Sequence, residues 1–352
     1  MISNDTSSAP VLVFEYVTGG GWPSPSVPPD LAEEGAAMLS AVLNDFKTWG
    51  LFRTITTRDA RLPAGELGAD VVLPLLPEEC EATLRRLLPE CRAALIIAPE
   101  TGGTLARLSA WVEEAGILLL GSSSNAVALA GDKWECYLRL SQEGLPTPQT
   151  MRLVDADYGR GNSGIGFPAV VKPRDGAGCD GVSLVRNERE LRMLERRSKP
   201  GGQMPADEGD GSELLLQEYV PGVHASASLV VSRTRTVCLG LNRQLIDVGS
   251  RFRLRGTRFG LEHALSERAV EVACRGAAAI PGLRGYVGVD LLLTPEECFI
   301  VEINPRLTTS YVGLPREANQ LLAGIWTACV GELPPTSRGS GRAGDAGVAC
   351  DE

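Results

Sequence analysis

Between Val11 and Gly121, short apolar runs alternate with stretches in which apolar residues recur every three or four positions. The runs "VLVFEY", "DVVLPLL", "AALIIAPE" and "ILLLGSS" predict strands, and 30–49, 79–88 and 104–115 predict the helices between them. A strand-helix series of this kind folds as a parallel sheet, so the first unit is expected to be Rossmann-like. Its first helix has Asp30 as an acidic N-cap candidate, apolar positions at Leu31, Met38, Leu39, Val42, Leu43 and Phe46, and Gly50 just past its end. The glycines of "TGGGWPSPSVPP" lead into a proline-rich loop with no Gly-x-Gly-x-x-Gly opening a helix, which argues against a dinucleotide fingerprint.

A connecting helix is predicted over 132–143, ended by Gly144 and the prolines of "LPTPQT". Beyond it the pattern changes to α+β. "FPAVVKP" and "ELLLQEYV" read as strands around a glycine loop and a helix, and "SKPGGQMPADEGDGS" at 198–212 reads as a polar surface excursion. "ASASLVVS", "TVCLGLNRQLIDV", a helix over 266–279 and the hairpin "GVDLLLTPEECFIVEIN" make a third unit. The expected division is 1–125, 126–220 and 221–333, with a disordered tail over 334–352.

A chain of 352 residues with 43% hydrophobic content can bury a sizeable core in two or three units. The net charge of -10 argues against a nucleic-acid surface and for small-molecule chemistry. Nine scattered cysteines without a Cys-x-x-Cys suggest a reducing, cytoplasmic setting, and two unrelated histidines leave little for a zinc or haem centre. Met1 to Pro10 lacks the apolar core of a leader, and no run is long enough to span a membrane.

Four stretches carry candidate chemistry. In "CFIVEINPRLTTSY", Glu302 and Asn304 stand two residues apart and so share a strand face, with Val301 and Ile303 on the other. A hairpin turn at "TPEE" brings Asp290 opposite Val301 or Glu302. Three oxygen donors without His or Cys suit magnesium, while a lone Glu-x-Asn reads better as a hydrogen-bonded pair at a sheet edge. In "FPAVVKPRDGAGCDGVSLV", Lys172 ends a strand, and Gly176, Gly178 and Gly181 form either a phosphate-covering loop or a plain hairpin turn. The lysine precedes the glycines, which is not the Walker A order. "LLLQEYVPG" ends a strand at Gln217, Glu218, Tyr219 and Val220, and in "GDKWECYLRL" Lys133 stands in the first turn of a helix and by itself reads as a solvated surface lysine.

The order of these stretches resembles the ATP-grasp superfamily over about residues 11–325. The resemblance implies an ATP-grasp fold, α/β and α+β, in which a Rossmann-like parallel-sheet domain precedes two α+β subdomains that hold MgATP. It implies a carboxylate-amine ligase acting through an acyl phosphate and releasing ADP and phosphate. Lys133 and Lys172 would meet the ATP phosphates under the loop bearing Gly176, Gly178 and Gly181, and Gln217 to Val220 (Gln217, Glu218, Tyr219, Val220) would hold adenine. Asp290, Glu302 and Asn304 would carry Mg²⁺, with Mn²⁺ an acceptable substitute, and Arg306 would face the transferring phosphoryl, with Lys172 the other catalytic candidate. The family's acidic ribose contact after the Pro-Gly turn is replaced by His224.

"VFEYVTGG", "IIAPETGGTLARL", "LGLNRQLI" and "NPRLTTSYVGL" resemble the branch containing tyramine/glutamate ligase, which serves methanofuran synthesis. On that reading the substrates are an amino acid and an amine, with glutamate and tyramine the first candidates and a homodimer allowed. Asn242, Arg243 and Gln244, or the row Arg251, Arg253 and Arg255, could meet a dicarboxylic amino acid, although the arginine row also fits a guarded edge strand. Glu15 and Glu100 close strands where an ammonium could dock or stand as loop acids, and Thr308, Thr309 and Ser310 are acceptor-pocket candidates. The basic face of 186–199 reads as solvated. The alternatives are another ATP-grasp enzyme, such as a peptide ligase or a carboxylase, and a non-catalytic ATP-binding module.

Overall fold

The computed structural model describes residues 9–63, 65–156, 164–198, 213–314, 318–333 and 348–349. Of the excursion expected over 198–212, residues 199–212 lie outside the described residues, as do 334–347 and 350–352 of the expected tail.

The first unit runs β1 (Val11–Glu15), α1 (Pro29–Trp49), β2 (Thr54–Asp59), β3 (Val71–Leu75), α2 (Pro77–Leu87), β4 (Ala93–Ile97), α3 (Thr104–Glu114) and β5 (Leu118–Leu119), with α4 (Ser124–Gly131) following. Its sheet has the order β3-β2-β1-β4-β5, and every pairing is parallel. All five residues of β1 are buried because helices cover both faces, which explains its unbroken apolar run. α1 starts one residue earlier than expected. Pro28 is its N-cap and Pro29 its first residue, so Asp30 lies in the first turn rather than capping it, while Gly50 closes the helix at φ 66° with its N–H on the Phe46 carbonyl.

α5 (Lys133–Gln142) leads into the second sheet, built from β6 (Thr150–Arg152), β7 (Ala169–Pro173), β8 (Ser183–Val185) and β9 (Leu214–Glu218) in the order β6-β9-β7-β8, with α6 (Glu188–Ser198) after β8. The third sheet takes β10 (Val223–Val231), β11 (Thr236–Val248), β12 (Phe252–Phe259), β13 (Gly285–Leu293) and β14 (Cys298–Asn304) in the antiparallel order β12-β11-β10-β13-β14. α7 (Ser266–Ala278) precedes β13, α8 (Ala318–Val330) follows β14, and β15 (Val348–Ala349) pairs with β11.

The third sheet is two-faced. Ala225, Ala227 and Leu229 of β10, together with Val287, Val289 and Leu291 of β13, pack with α4, α5 and α7 residues into one apolar cluster. A second cluster joins segments far apart in sequence, since Met38, Leu39 and Leu43 of α1 share a core with Tyr311, Leu314 and α8. The Tyr311 hydroxyl donates to Asp45 Oδ2 at 2.6 Å inside this core, fastening the segment after β14 to α1. Among the described residues no helix is long and apolar enough to cross a membrane.

Candidate active site

The hairpin of β13 and β14 resolves its own register. Asp290 pairs with Glu302, not Val301, and Gly288 pairs with Asn304. The register shifts just beyond Asp290, so Leu291 pairs with Ile300 and Val301 becomes the extra residue of a bulge. This corrects the simple alternation: Ile300 and Ile303, three apart, both enter the apolar cluster, while Val301 lines a small pocket with Glu302, Lys133, Lys172 and Gln217. The bulge lets one strand hold its core contacts on either side of a carboxylate that faces the other way.

Four strands then set one polar row in register, Asn242 of β11 opposite Ser226 of β10, Ser226 opposite Asp290, and Asp290 opposite Glu302. Asp290 accepts from Gln244 Nε2 at 2.8 Å and from Asn304 Nδ2 at 3.3 Å. Burial, and then the neighbouring Glu302 carboxylate, push Asp290 up to about 7, while the two amide donors pull the other way. Two carboxylates set side by side in this manner repel unless a cation joins them. Their oxygens, with the Asn304 side-chain oxygen available on rotation, are a hard donor set that fits magnesium. Among the described residues no three His, Cys, Asp or Glu side chains are placed to hold a metal ion between them, so any such ion depends on the asparagine, water and phosphate oxygens for its remaining ligands.

The two lysines approach the same carboxylates from other elements. Lys133, buried at the first position of α5, lies 3.3 Å from Glu302 and donates to the Gly176 carbonyl. Lys172 of β7 is buried and donates to Gln217 Oε1 at 3.1 Å, and Gln217 in turn donates to Thr150 at 2.8 Å. Burial holds the Lys172 ammonium down to about 8 against the pull of Glu302. Two cations with so little solvent around them make a place for phosphate.

Residues absent from the sequence reading hold this cluster together. Asp132 caps α5 by accepting from Trp134 N at 3.0 Å and Glu135 N at 3.1 Å, and it also receives Arg174 Nε at 2.9 Å and Nη2 at 2.7 Å. Arg174 further reaches Glu213 at 2.9 Å, so the start of the glycine loop is tied to α5 and to the chain entering β9. The predicted helix began at 132, but nothing in the sequence marked Asp132 as its cap or as the partner of Arg174. Within the loop, Gly176, Gly178 and Gly181 all have positive φ, and a Cβ on Gly181 would lie 2.6 Å from Pro173, so the turn needs glycine there. Asp175 accepts from the Gly102 N–H at 2.8 Å, which links the loop to the first unit.

The remaining candidates divide. Arg306 Nε lies 3.0 Å from the Glu100 carboxylate, so those two stand together beside the metal-ligand candidates. Gln217 lines the small pocket, while Glu218 is exposed and donates its N–H to Gln149, and Tyr219 and Val220 are half-buried beyond the strand. His224 shares the face of Ser226, with burial lowering its imidazole below the usual value and its ring edge-on to Phe252 at 6.3 Å. Thr308 touches the Tyr286 hydroxyl at 3.2 Å, and Thr309 opens the short 3-10 turn after β14. Two expectations are corrected. Arg243 pairs with core-facing Ala225 and is exposed on the opposite side from Asn242, because neighbours on a strand cannot share a face. Glu15 is 2% exposed and its carboxylate accepts from Val17 N, Thr18 N and Thr18 Oγ1, so it braces its own turn instead of presenting an open acid. Of the arginine row, Arg255 pairs with Asp247 at 2.7 Å on the exposed edge strand.

A Rossmann-like sheet followed by a helix and two antiparallel sheets that bring two lysines to paired acids defines an ATP-grasp architecture, and the family comparison agrees. Residues 130–310 match the ATP-grasp domain and residues 52–127 match the pre ATP-grasp 3 domain; the chain belongs to the ATP-grasp family. More narrowly, it is similar to tyramine--L-glutamate ligase of Methanocaldococcus fervens, 29% identical over 310 residues that cover 87% of this chain and 90% of that one. An ATP-grasp superfamily protein of Archaeoglobus fulgidus superposes with a TM-score of 0.66 at 27% identity, covering 90% of this chain and 88% of that one. The ATP complex of D-alanine--D-alanine ligase from Bacillus anthracis superposes at 0.61 with 17% identity, covering 92% and 97%, a likeness of fold alone.

Proposed function

We propose that the protein is an ATP-dependent carboxylate-amine ligase that joins L-glutamate to an amine, tyramine being the first candidate. The observation that carries the reading is the face-to-face pair Asp290 and Glu302 with Lys133 and Lys172 over it. The relatives' names supply the substrate pair.

In this reading Lys133 and Lys172 hold the phosphates, and N–H groups of the glycine loop close over them. Asp290, Glu302 and Asn304 hold magnesium, which when bound supplies neutralising charge to the phosphate oxygens. A substrate carboxylate oxygen bonds to the γ-phosphorus as the bond to the ADP oxygen breaks. The amine nitrogen then bonds to the acyl carbon, phosphate departs, and the amine gives up a proton. Arg306, drawn from Glu100, stabilises the oxyanion through its planar donors. The test is ADP release with MgATP, L-glutamate and a panel of amines, followed by mass spectrometry of the product. The ligase reading is lost if no amine raises ADP release above the amine-free rate.

A further inference from the structure

Within the polar row of the third sheet, one group has no use in the fold. Asn242 is 2% exposed, and its Nδ2 is a buried donor without a hydrogen-bond partner. Leaving such a donor unpaired is costly, so its persistence calls for an acceptor that is absent from the chain itself. Its surroundings are polar. Ser226, directly opposite in register, is 5% exposed, and its Oγ lies 3.4 Å from that of Ser310, also 5% exposed. Gln244, two residues along and therefore on the same face, donates to Asp290. The neighbouring row, Gly240, Ser228 and Gly288, is closed, since a Cβ on Gly288 would meet Thr308 at 2.7 Å. On its other side Asn242 pairs with Phe259 of β12, whose ring rests on Gly313 and is 44% exposed.

We infer that Asn242, with the Ser226 and Ser310 hydroxyls, is the specificity site for the non-reacting carboxylate of a dicarboxylic amino acid. This rests on the ligase reading and deepens it. Asn242 stands two strands from Asp290, about 10 Å at ordinary strand spacing, which leaves room for a short diacid with one end at the phosphoryl group and the other under the amide. An amide N–H and two hydroxyls can each donate to carboxylate oxygens, and none is a cation that would draw in the nucleotide phosphates instead.

The experiment measures KM and kcat for L-glutamate at saturating MgATP and tyramine in wild type, Asn242→Ala and Asn242→Asp. The same measurements are made with 4-aminobutyrate and L-norvaline, each of which lacks one of the two carboxylates, so that one of them keeps the carboxylate that reacts. Removing the donor is expected to raise the glutamate KM about tenfold, with kcat within about twofold and the KM for ATP unchanged. The near-isosteric aspartate, which sets an anion against the substrate's, is expected to raise it further. The analogue that still reacts should be unaffected by Asn242→Ala, so discrimination against it narrows. A glutamate KM that does not move in either variant, or that moves equally for the reactive analogue, overturns the inference while leaving the ligase reading intact. If wild type turns over no glutamate with any amine, the ligase reading falls and this inference falls with it. Matching Tm values in the three proteins show that the KM change is not a loss of fold.

Discussion

Leu291 and its companions Ala225, Leu229, Val289, Ile300 and Ile303 lie at most 1% exposed on the helix-covered face of the third sheet. Interleaved with them on the same strands, Ser226, Asp290 and Glu302 occupy the other face in one register row, continued by Asn242. Both faces are built from the same backbone ladders, so the contrast isolates what side chains add. The apolar face gains free energy by leaving water. The polar face crowds like charges and leaves a donor unpaired, which opposes folding until a ligand arrives. Substitutions on the two faces should therefore separate stability from activity.

The largest separation is expected at Asp290. Asp290→Asn is predicted to lower ADP release about 10³-fold, equivalent to about 4 kcal/mol of transition-state stabilisation. The same change removes one of two repelling carboxylates, so thermal unfolding without ligand should occur at an equal or higher temperature. A Tm that falls along with activity would mean that Asp290 is a structural acid, and the contrast between the faces would be lost.

Its sequence neighbour should do the reverse. Leu291→Ala on the apolar face is predicted to cost about 3 kcal/mol in denaturant unfolding, while ADP release per folded molecule stays within about twofold. A matching loss of kcat would show that the bulge beside Asp290 transmits packing changes to the carboxylate.

Lys172→Met tests the same idea from the second sheet. The ammonium is held down to about 8 by burial, below its ordinary 10.5. Between those values the unfolded chain keeps a proton that the folded chain has released, so wild-type stability rises with pH across that window, and below pH 8 the burial penalty is fully present. Methionine fills the same channel without charge. The variant should be more stable than wild type at pH 7 by about 2 kcal/mol, with the advantage shrinking as pH climbs toward 10.5, and it should lack ADP release. Parallel pH curves for the two proteins would show that the lysine is paid no penalty by the fold.

Much of this was legible because period-two patterning is a strong signal. Glu302 and Asn304 announced a polar face, and the glycines between Lys172 and Val185 announced a tight loop. What escaped was carried by tertiary context. β2 reads "TITTRD", too polar to suggest a central strand, yet Thr54, Thr56, Thr57 and Asp59 are buried because their polar atoms find partners such as the Val13 and Gly19 carbonyls. The bulge at Val301 has no sequence marker, and it alone decides which of two registers brings acid to acid. Asn242 and Arg243 were both proposed as ligands although alternation allows only one of them on the ligand face. Arg174 showed no periodicity at all, since its role depends on three acids from two separate segments, the start of α5 and the chain entering β9.

The smallest expected effect tests where the two faces meet. Tyr311 is fully buried, and its hydroxyl donates 2.6 Å to Asp45 of α1, so the short turn that carries Ser310 is held against the first unit by a charge-assisted bond. Tyr311→Phe keeps the ring, its edge contact with Tyr286 and its place in the shared core, and deletes only that donor. The cost should be about 1–2 kcal/mol, read as a lower denaturation midpoint with an unchanged slope. Because Ser310 is the preceding residue and sits 3.4 Å from Ser226, the loosened turn should also raise the KM for glutamate while the KM for ATP, assigned to Lys133 and Lys172 in the proposed function, stays put. Equal changes in both constants would place the turn's influence on the whole cleft, and no change in either would confine Tyr311 to the core.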